Sequence, residues 1–230
     1  MSVESPLCDG SGIAAMKPAF QLIETLRYEP DADFLRLELH LERLENSARA
    51  LGFPLDMPAV RRQLAAKGQG NKALRVRLTL DPDGVIDIET APFEALPAET
   101  VWRLGIAKTR LRHDDPLLQH KTTRRALYVA AREEFSREEV DEVLLFNDLG
   151  QLCEGTITTV FLEIGDKTCV TPDISCGLLA GILREELLRK NVVRQAILTL
   201  DDLRNAQKNF VGNSLRGMIK ADLSCCFATL

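Results

Sequence analysis

No stretch of this chain reaches the roughly 18 consecutive apolar residues that a membrane helix requires. The opening residues, MSVESPLCDGSG, lack the basic start and apolar core of a secretory signal, so a cytoplasmic protein is expected. A basic excess is missing too. Lys and Arg number 29 against 34 Asp and Glu, a net charge of -5, which argues against nucleic acid or an anionic membrane as partner. An acidic total still leaves room for a local basic pocket that holds a small anion. The six cysteines (Cys8, Cys153, Cys169, Cys176, Cys225 and Cys226) include no C-x-x-C pair, so no zinc site is expected. Cys225 and Cys226 are adjacent, a poor geometry for an ordinary disulfide, and reduced thiols are the simple reading. There is no internal repeat and no low-complexity tract. What remains is an ordinary globular composition, 45% hydrophobic and 27% charged, over 230 residues that can bury a sizeable core.

Residues 1–19, rich in Ser and Gly, read as a loose tail. The segment 20–27 reads as a strand. Residues 33–39, DFLRLEL, alternate apolar and charged as a half-buried strand should, which predicts a hairpin around Glu29-Pro30-Asp31. In HLERLENSARALGF, Leu41, Leu44, Ala48 and Leu51 recur at helical spacing until Gly52 and Pro54 stop the run. A second helix is expected over 57–67. KALRVRLTL places Leu74, Val76, Leu78 and Leu80 on one face and Arg75, Arg77 and Thr79 on the other. Asp81-Pro82-Asp83-Gly84 is a turn signal, after which VIDIET returns as a strand. Residues 20–106 are thus predicted to form an N-terminal α+β domain, an antiparallel sheet with two helices.

Residues 107–120, charged and carrying one proline, read as an interdomain linker. Residues 121–230 read as a second, strand-rich domain with helices outside. TRRALYVAAREEF predicts a helix opened by Lys121, and DEVLLFNDLGQLCEG a hairpin turning at 147–150. A further helix is expected over about 179–190, and strands near 193–198, 209–212 and 217–222. A cleft between two such domains is the natural place for a ligand.

Lys121, in QHKTTRRALY, would face that cleft. A partly desolvated amine there can condense with an aldehyde, although a lone lysine is most often solvated. Glu154 sits in LCEGTITTVF, among residues of a buried strand, and a buried carboxylate needs a partner. A protonated pyridine nitrogen would serve, and so would a nearby arginine. GLLAGILREELL opens a helix on glycine, and the amides near Gly181, Ile182 and Leu183 can hold an anion. Arg43 in HLERL and Ser214 in FVGNSLRG are ambiguous alone: a solvated arginine and a turn-forming Asn-Ser pair are the plain alternatives.

The order of these features says more than any one of them. FQLIETLR, HLERLENSARALGF, HKTTRRALYVAA, DEVLLFNDLGQLCEGTITTVF, TPDISCGLLAGILR and FVGNSLRGMIKADL follow one another over about residues 20–223. In that order the sequence resembles the fold-type IV pyridoxal-phosphate enzymes, the class IV aminotransferase family. That family includes branched-chain and D-amino-acid aminotransferases and aminodeoxychorismate lyase. The resemblance implies a two-domain α+β and α/β fold with a barrel-like C-terminal domain, pyridoxal 5'-phosphate as cofactor, and a homodimer. It places the cofactor on Lys121 and its pyridine nitrogen against Glu154. It places the phosphate among Arg43, the Ile182 and Leu183 amides and Ser214. The HKTTRR and NSLRG blocks are most similar to the lyases, which convert 4-amino-4-deoxychorismate to 4-aminobenzoate and pyruvate on the way to folate. An aminotransferase acting on D- or branched-chain amino acids is the second reading, and a non-catalytic member of the family the third.

Two positions favour the lyase. Branched-chain aminotransferases carry a tyrosine five residues after the cofactor lysine, where this chain has Ala126. Tyr128 comes two residues later and would point elsewhere on a helix. Leu183 lacks the hydroxyl that a threonine supplies there in those enzymes. Glu24, Thr25 and Arg27 lie on the first strand, where Thr25 and Arg27 share a face by alternation. Thr25 is expected to assist proton transfer, and Arg27 and Glu24 to contact substrate. The chain departs from the family at Thr159, where most relatives have an Asn that supports the glutamate, and at Arg124, where lyases often have Asn. The usual first strand ahead of residue 20 is unrecognisable.

Overall fold

The computed structural model describes residues 19–165 and 167–223, so Cys8, Cys225, Cys226 and nearly all of the expected tail lie outside the described residues. The chain begins with β1 (Leu22–Glu29) and a short β2 (Asp33–Phe34), continues through α1 (Leu37–Leu51) and α2 (Met57–Lys67), and returns as β3 (Leu74–Leu80) and β4 (Ile86–Pro92). These strands form one antiparallel sheet in the order β2-β1-β3-β4. Alternation along β3 gives the sheet two unlike faces. Val76, Leu78 and Leu80 pack with Leu41, Leu44, Val60 and Leu64 of the helices. Arg75 and Arg77 lie on the other face. Local chemistry sets the ends of the helices. Asp56 accepts a hydrogen bond from the Ala59 amide at the start of α2. Gly52 ends α1 at a φ of 73°, a conformation that favours glycine, and its N–H reaches back to the Ala48 carbonyl.

The strand expected over 33–39 is corrected by this structure. Pairing stops at Phe34, and α1 has begun by Leu37. Leu35, Leu37 and Leu39 do alternate, but Leu37 also belongs to the helical series Leu37, Leu41, Leu44 and Ala48. That series packs on the sheet, so it decides the conformation. Arg36, at a φ of 59°, turns the chain between the two.

The linker expected over 107–120 is corrected as well. β5 (Val101–Leu111) is an eleven-residue strand that runs through residues 107–111. Ala107 and Leu111 are buried, while Lys108 and Arg110 are exposed and give the segment its charged look. Only residues 112–120 connect, with a 3-10 turn at Pro116–Gln119. Beyond them come α3 (Ala126–Glu133), β6 (Glu142–Asn147), β7 (Leu152–Gly155), β8 (Thr159–Ile164) and β9 (Thr168–Pro172). The chain closes with α4 (Ile182–Arg189), β10 (Arg194–Ala196), α5 (Leu200–Asn205), β11 (Lys208–Asn213) and β12 (Gly217–Asp222).

The second sheet has eight strands in the order β10-β9-β8-β11-β12-β5-β6-β7. Its steps are parallel at β10–β9, β12–β5 and β5–β6. It curls into a half-barrel until the Leu152 N–H on β7 donates to the Leu198 carbonyl, two residues past β10, at 2.7 Å. The turn expected at 147–150 is present: Asn147 Oδ1 accepts from the Leu149 and Gln151 amides, and Gly150 has a φ of 75°.

Lys121 does not open a helix, because α3 starts five residues later. The lysine lies on an extended segment held against β1. The Ile23 N–H donates to the Lys121 carbonyl at 2.8 Å and the Thr123 N–H to the Gln21 carbonyl at 2.9 Å. These bonds join the two halves of the molecule at the lysine itself. No helix among the described residues is long and apolar enough to cross a membrane.

Candidate active site

Between the two sheets lies a cavity of about 630 Å³. One end of it gathers groups that could hold an anion. His40 and Arg43 stand three residues apart on α1, on one face of the helix. Arg43 grips Glu24 with Nε and Nη2 at 2.8 and 2.7 Å, and its Nη1 donates to the Ala180 carbonyl at 3.0 Å. A guanidinium has about five N–H groups, so the remainder stay available to a ligand. His40 spans from Glu24, 2.6 Å from its Nδ1, to the Ser214 hydroxyl, 2.8 Å from its Nε2. No side chain caps the start of α4, which leaves the Ile182 and Leu183 amides open to negative charge. Burial alone would raise Glu24. The Arg43 charge and the hydrogen bonds from His40 and Arg43 overcome it and hold the carboxyl at about 2.

The other end holds an amine and an acid. Burial, reinforced by the Arg43 charge, lowers Lys121 to about 8. Much of the amine is therefore neutral, and nucleophilic, in mildly alkaline solution. Glu154 on β7 is only 5% exposed. Burial pushes it up to about 7, against hydrogen bonds from the Tyr128 hydroxyl at 2.7 Å and the Leu179 amide at 3.3 Å. Both donors end on Oε1, and Oε2 has no partner among the described residues. Burial, with the Glu154 charge, raises the Tyr128 phenol, so the hydroxyl remains a donor.

The walls reverse the sign of the whole chain. Seven lining residues are Arg or Lys and two are Asp or Glu. Arg75 and Arg77 on β3 and Arg216 in the β11–β12 turn make no salt bridge among the described residues, although Arg216 feels the Glu142 charge. Burial and the nearby Arg75 charge lower Arg216. Among the described residues no group of His, Cys, Asp and Glu could hold a metal ion.

The amino-transferase class IV family matches residues 21–222. The chain belongs to that family. A Mesorhizobium loti structure titled "Putative amino-acid aminotransferase" is 47% identical, covers 89% of this chain and 99% of its own, and superposes with a TM-score of 0.86. A Schizosaccharomyces pombe protein named "Putative aminodeoxychorismate lyase" is 27% identical over 88% of this chain and 89% of its own. The 4-amino-4-deoxychorismate lyase structure from Pseudomonas aeruginosa is 28% identical, covers 88% of this chain and 83% of its own, and has a TM-score of 0.75.

Six of the residues expected from the family pattern line the cavity: Lys121, Glu154, Arg43, Ile182, Ser214 and Thr25. Leu183 offers only its amide, since its side chain packs with Phe161. Two expected substrate contacts are corrected. Glu24 does not face substrate, because alternation places it with Leu22 and Leu26 on the helix side of β1, under Arg43 and His40. Arg27 turns away along the strand. It stacks 4.4 Å over the Phe93 ring, pairs with Glu29, and is absent from the cavity wall. Tyr128, expected to point elsewhere, points at Glu154. Thr159, the family departure, lies on the wall with its hydroxyl 2.5 Å from where a Gly181 Cβ would stand, so a side chain at 181 would have to displace it. His40 was missed in the sequence, although its i, i+3 spacing to Arg43 was there to be seen. Arg75 and Arg77 were visible only as the polar face of a strand.

Proposed function

We propose that this class IV protein binds pyridoxal 5'-phosphate and converts 4-amino-4-deoxychorismate into 4-aminobenzoate and pyruvate. The donor set fits the cofactor. Lys121 is an enclosed amine able to condense with an aldehyde, and Glu154 presents an unpartnered carboxylate oxygen suited to a pyridine nitrogen. Spare Arg43 N–H groups, the open amides of α4 and the Ser214 hydroxyl suit a phosphate.

When bound, the cofactor supplies an electron sink for the carbon that bears the substrate nitrogen. This chain supplies the rest. Lys121, partly neutral near its lowered pKa of about 8, removes the proton from that carbon. The bond from the ring to the enolpyruvyl oxygen breaks, the ring becomes aromatic, and the departing enolpyruvate takes up a proton on its methylene carbon to become pyruvate. Thr25, on the cavity wall opposite Arg77 in the β1–β3 register, is placed to relay that proton. Aromatisation supplies much of the driving force, so the protein mainly positions base and leaving group.

The observation that carries the lyase reading is the arginine wall. The substrate has two carboxylates, and Arg75, Arg77 and Arg216 offer guanidinium groups that make no salt bridge among the described residues. Ala126, in place of the aminotransferase tyrosine, agrees, as do the names of the fission-yeast and Pseudomonas relatives. A second reading, aminotransferase, is favoured by the 47% identical Mesorhizobium structure and its title. The test is to give the cofactor-loaded protein 4-amino-4-deoxychorismate and follow both products. Equal amounts of 4-aminobenzoate and pyruvate, lost in Lys121→Ala, are expected. Neither product, together with keto-acid formation from a D- or L-amino acid, would replace the lyase with the aminotransferase.

A further inference from the structure

The mechanism leaves Tyr128 without a task, yet it makes the shorter of the two hydrogen bonds to Glu154. Its ring is fixed by Arg125, which stacks over it at 4.7 Å and donates to the Thr156 carbonyl just past β7. The family's asparagine at position 159 is absent here, and Thr159 makes no hydrogen bond to Glu154. We infer that Tyr128 is the positioning residue of Glu154: its phenol pins Oε1 and leaves Oε2 to face the cavity as a carboxylate.

The physical argument is one of substitution. A carboxylate taken out of water needs donors on its oxygens. Where an asparagine would give one from β8, the first turn of α3 gives one, seven residues beyond Lys121. The same helix therefore follows the lysine in sequence and holds the acid that faces it. The other charged or titratable groups around Glu154 come from each packed element. They are Lys121 on the segment before α3, Arg125 at the start of α3, Cys153 beside Glu154 on β7, and Arg184 on α4. None of these four has a hydrogen bond to the Glu154 carboxylate. Tyr128 and the Leu179 amide are its donors, and Tyr128 is the one that mutation can remove.

The inference concerns the site proposed above and rests on the cofactor reading for its purpose, so the test begins without cofactor. The carboxyl stretch of Glu154, assigned by its loss in Glu154→Gln, is titrated by difference infrared spectroscopy. In Tyr128→Phe the midpoint should rise by about one pH unit, because one donor to the charged form is gone. A 3-fluorotyrosine at 128 keeps the shape, donates more strongly and should lower the midpoint, a result that a folding defect cannot mimic. With cofactor, Tyr128→Phe should weaken pyridoxal 5'-phosphate binding by about tenfold. That effect should vanish in the Glu154→Gln background, as residues acting through one group require. An unmoved midpoint, or a binding loss that persists in Glu154→Gln, would overturn the inference. If the midpoint moves but the parent protein binds no cofactor, the proposed function fails and the positioning role stands.

Discussion

Two glutamates on neighbouring walls of the cavity show how partners, rather than depth, set chemistry. Glu24 and Glu154 are 2% and 5% exposed, and burial pushes both upward. Yet Glu24 titrates at about 2 and Glu154 at about 7. Glu24 meets a guanidinium gripping both oxygens and an imidazole beside it. Among the described residues Glu154 is hydrogen-bonded only by a phenol and an amide, both neutral, and feels the Lys121 and Arg125 charges without contact. An opposite charge in hydrogen-bond contact outweighs desolvation, and two neutral donors with charges at a distance do not. The first glutamate is therefore a fixed anion that holds Arg43 and His40 at one end of the cavity. The second is poised to hold or release a proton. A third buried glutamate, Glu142, is also met by neutral donors alone: the Val143, Thr156 and Ile157 amides and the Thr156 and Thr158 hydroxyls. It ties down the turn that follows Glu154.

The largest effect is expected at the lysine that feels both carboxylates. Lys121→Ala should reduce turnover by more than about a thousandfold. Borohydride should trap the cofactor on the Lys121 peptide of the parent and nowhere in the variant; mass spectrometry that found it on another lysine would remove the centre of the argument. Next comes the clamp. Glu24→Gln leaves Arg43 and His40 beside a neutral group, and breaking a buried pair of this kind costs about 3–5 kcal/mol. Urea unfolding measures it. A loss below about 1 kcal/mol would mean that Glu24 is not the anchor described, because that is the range of an exposed pair.

Stability against pH sharpens the contrast, because the two glutamates slope in opposite directions. Glu24 has a folded value of about 2 against the ordinary 4.5, so its contribution is complete above 4.5 and is lost as pH falls toward 2. Glu154 has a folded value of about 7, so the fold loses stability as pH rises from 4.5 to 7. Glu154→Gln removes only the second slope. Relative to the parent, the variant should gain about 3 kcal/mol between pH 4.5 and pH 7, then level off. A difference that stays flat over that range would show that Glu154 ionises like a surface acid.

The sequence exposed this contrast only in part, and the reason is range. Alternation in LRVRLTL and the turn residues after it are local signals, and β3 with its turn formed where they pointed. DFLRLEL carried two local signals at once, and packing against the sheet chose the helical one. AKTRL read as linker because its charges are local, whereas its burial depends on β6, more than thirty residues away. The site divides in the same way. Arg43, Lys121, Glu154 and Ser214 were ambiguous singly and were brought to one site only by the order of their motifs, and all four line the cavity. Glu24 already sat on the apolar face of its own strand, but its partners lie 16 and 19 residues on. Tyr128 was set aside because its phase was judged against the cofactor, while its partner is a strand 26 residues later.

The smallest effect is expected where the same bond geometry occurs without burial. Arg61 grips Glu38 with both terminal nitrogens, each at 2.7 Å, on the open surface of α1 and α2. Geometrically this pair rivals Arg43 and Glu24. In water, however, the Coulomb attraction is weak, salt screens it, and two long side chains must be held still. Arg61→Ala should therefore leave the unfolding midpoint within roughly 2 °C of the parent, at low and at high salt. A calorimetric shift as large as that of Glu24→Gln would mean that bidentate geometry alone carries the energy. The difference between Glu24 and Glu154 would then have to be sought in the number of their hydrogen bonds rather than in the charge of their partners.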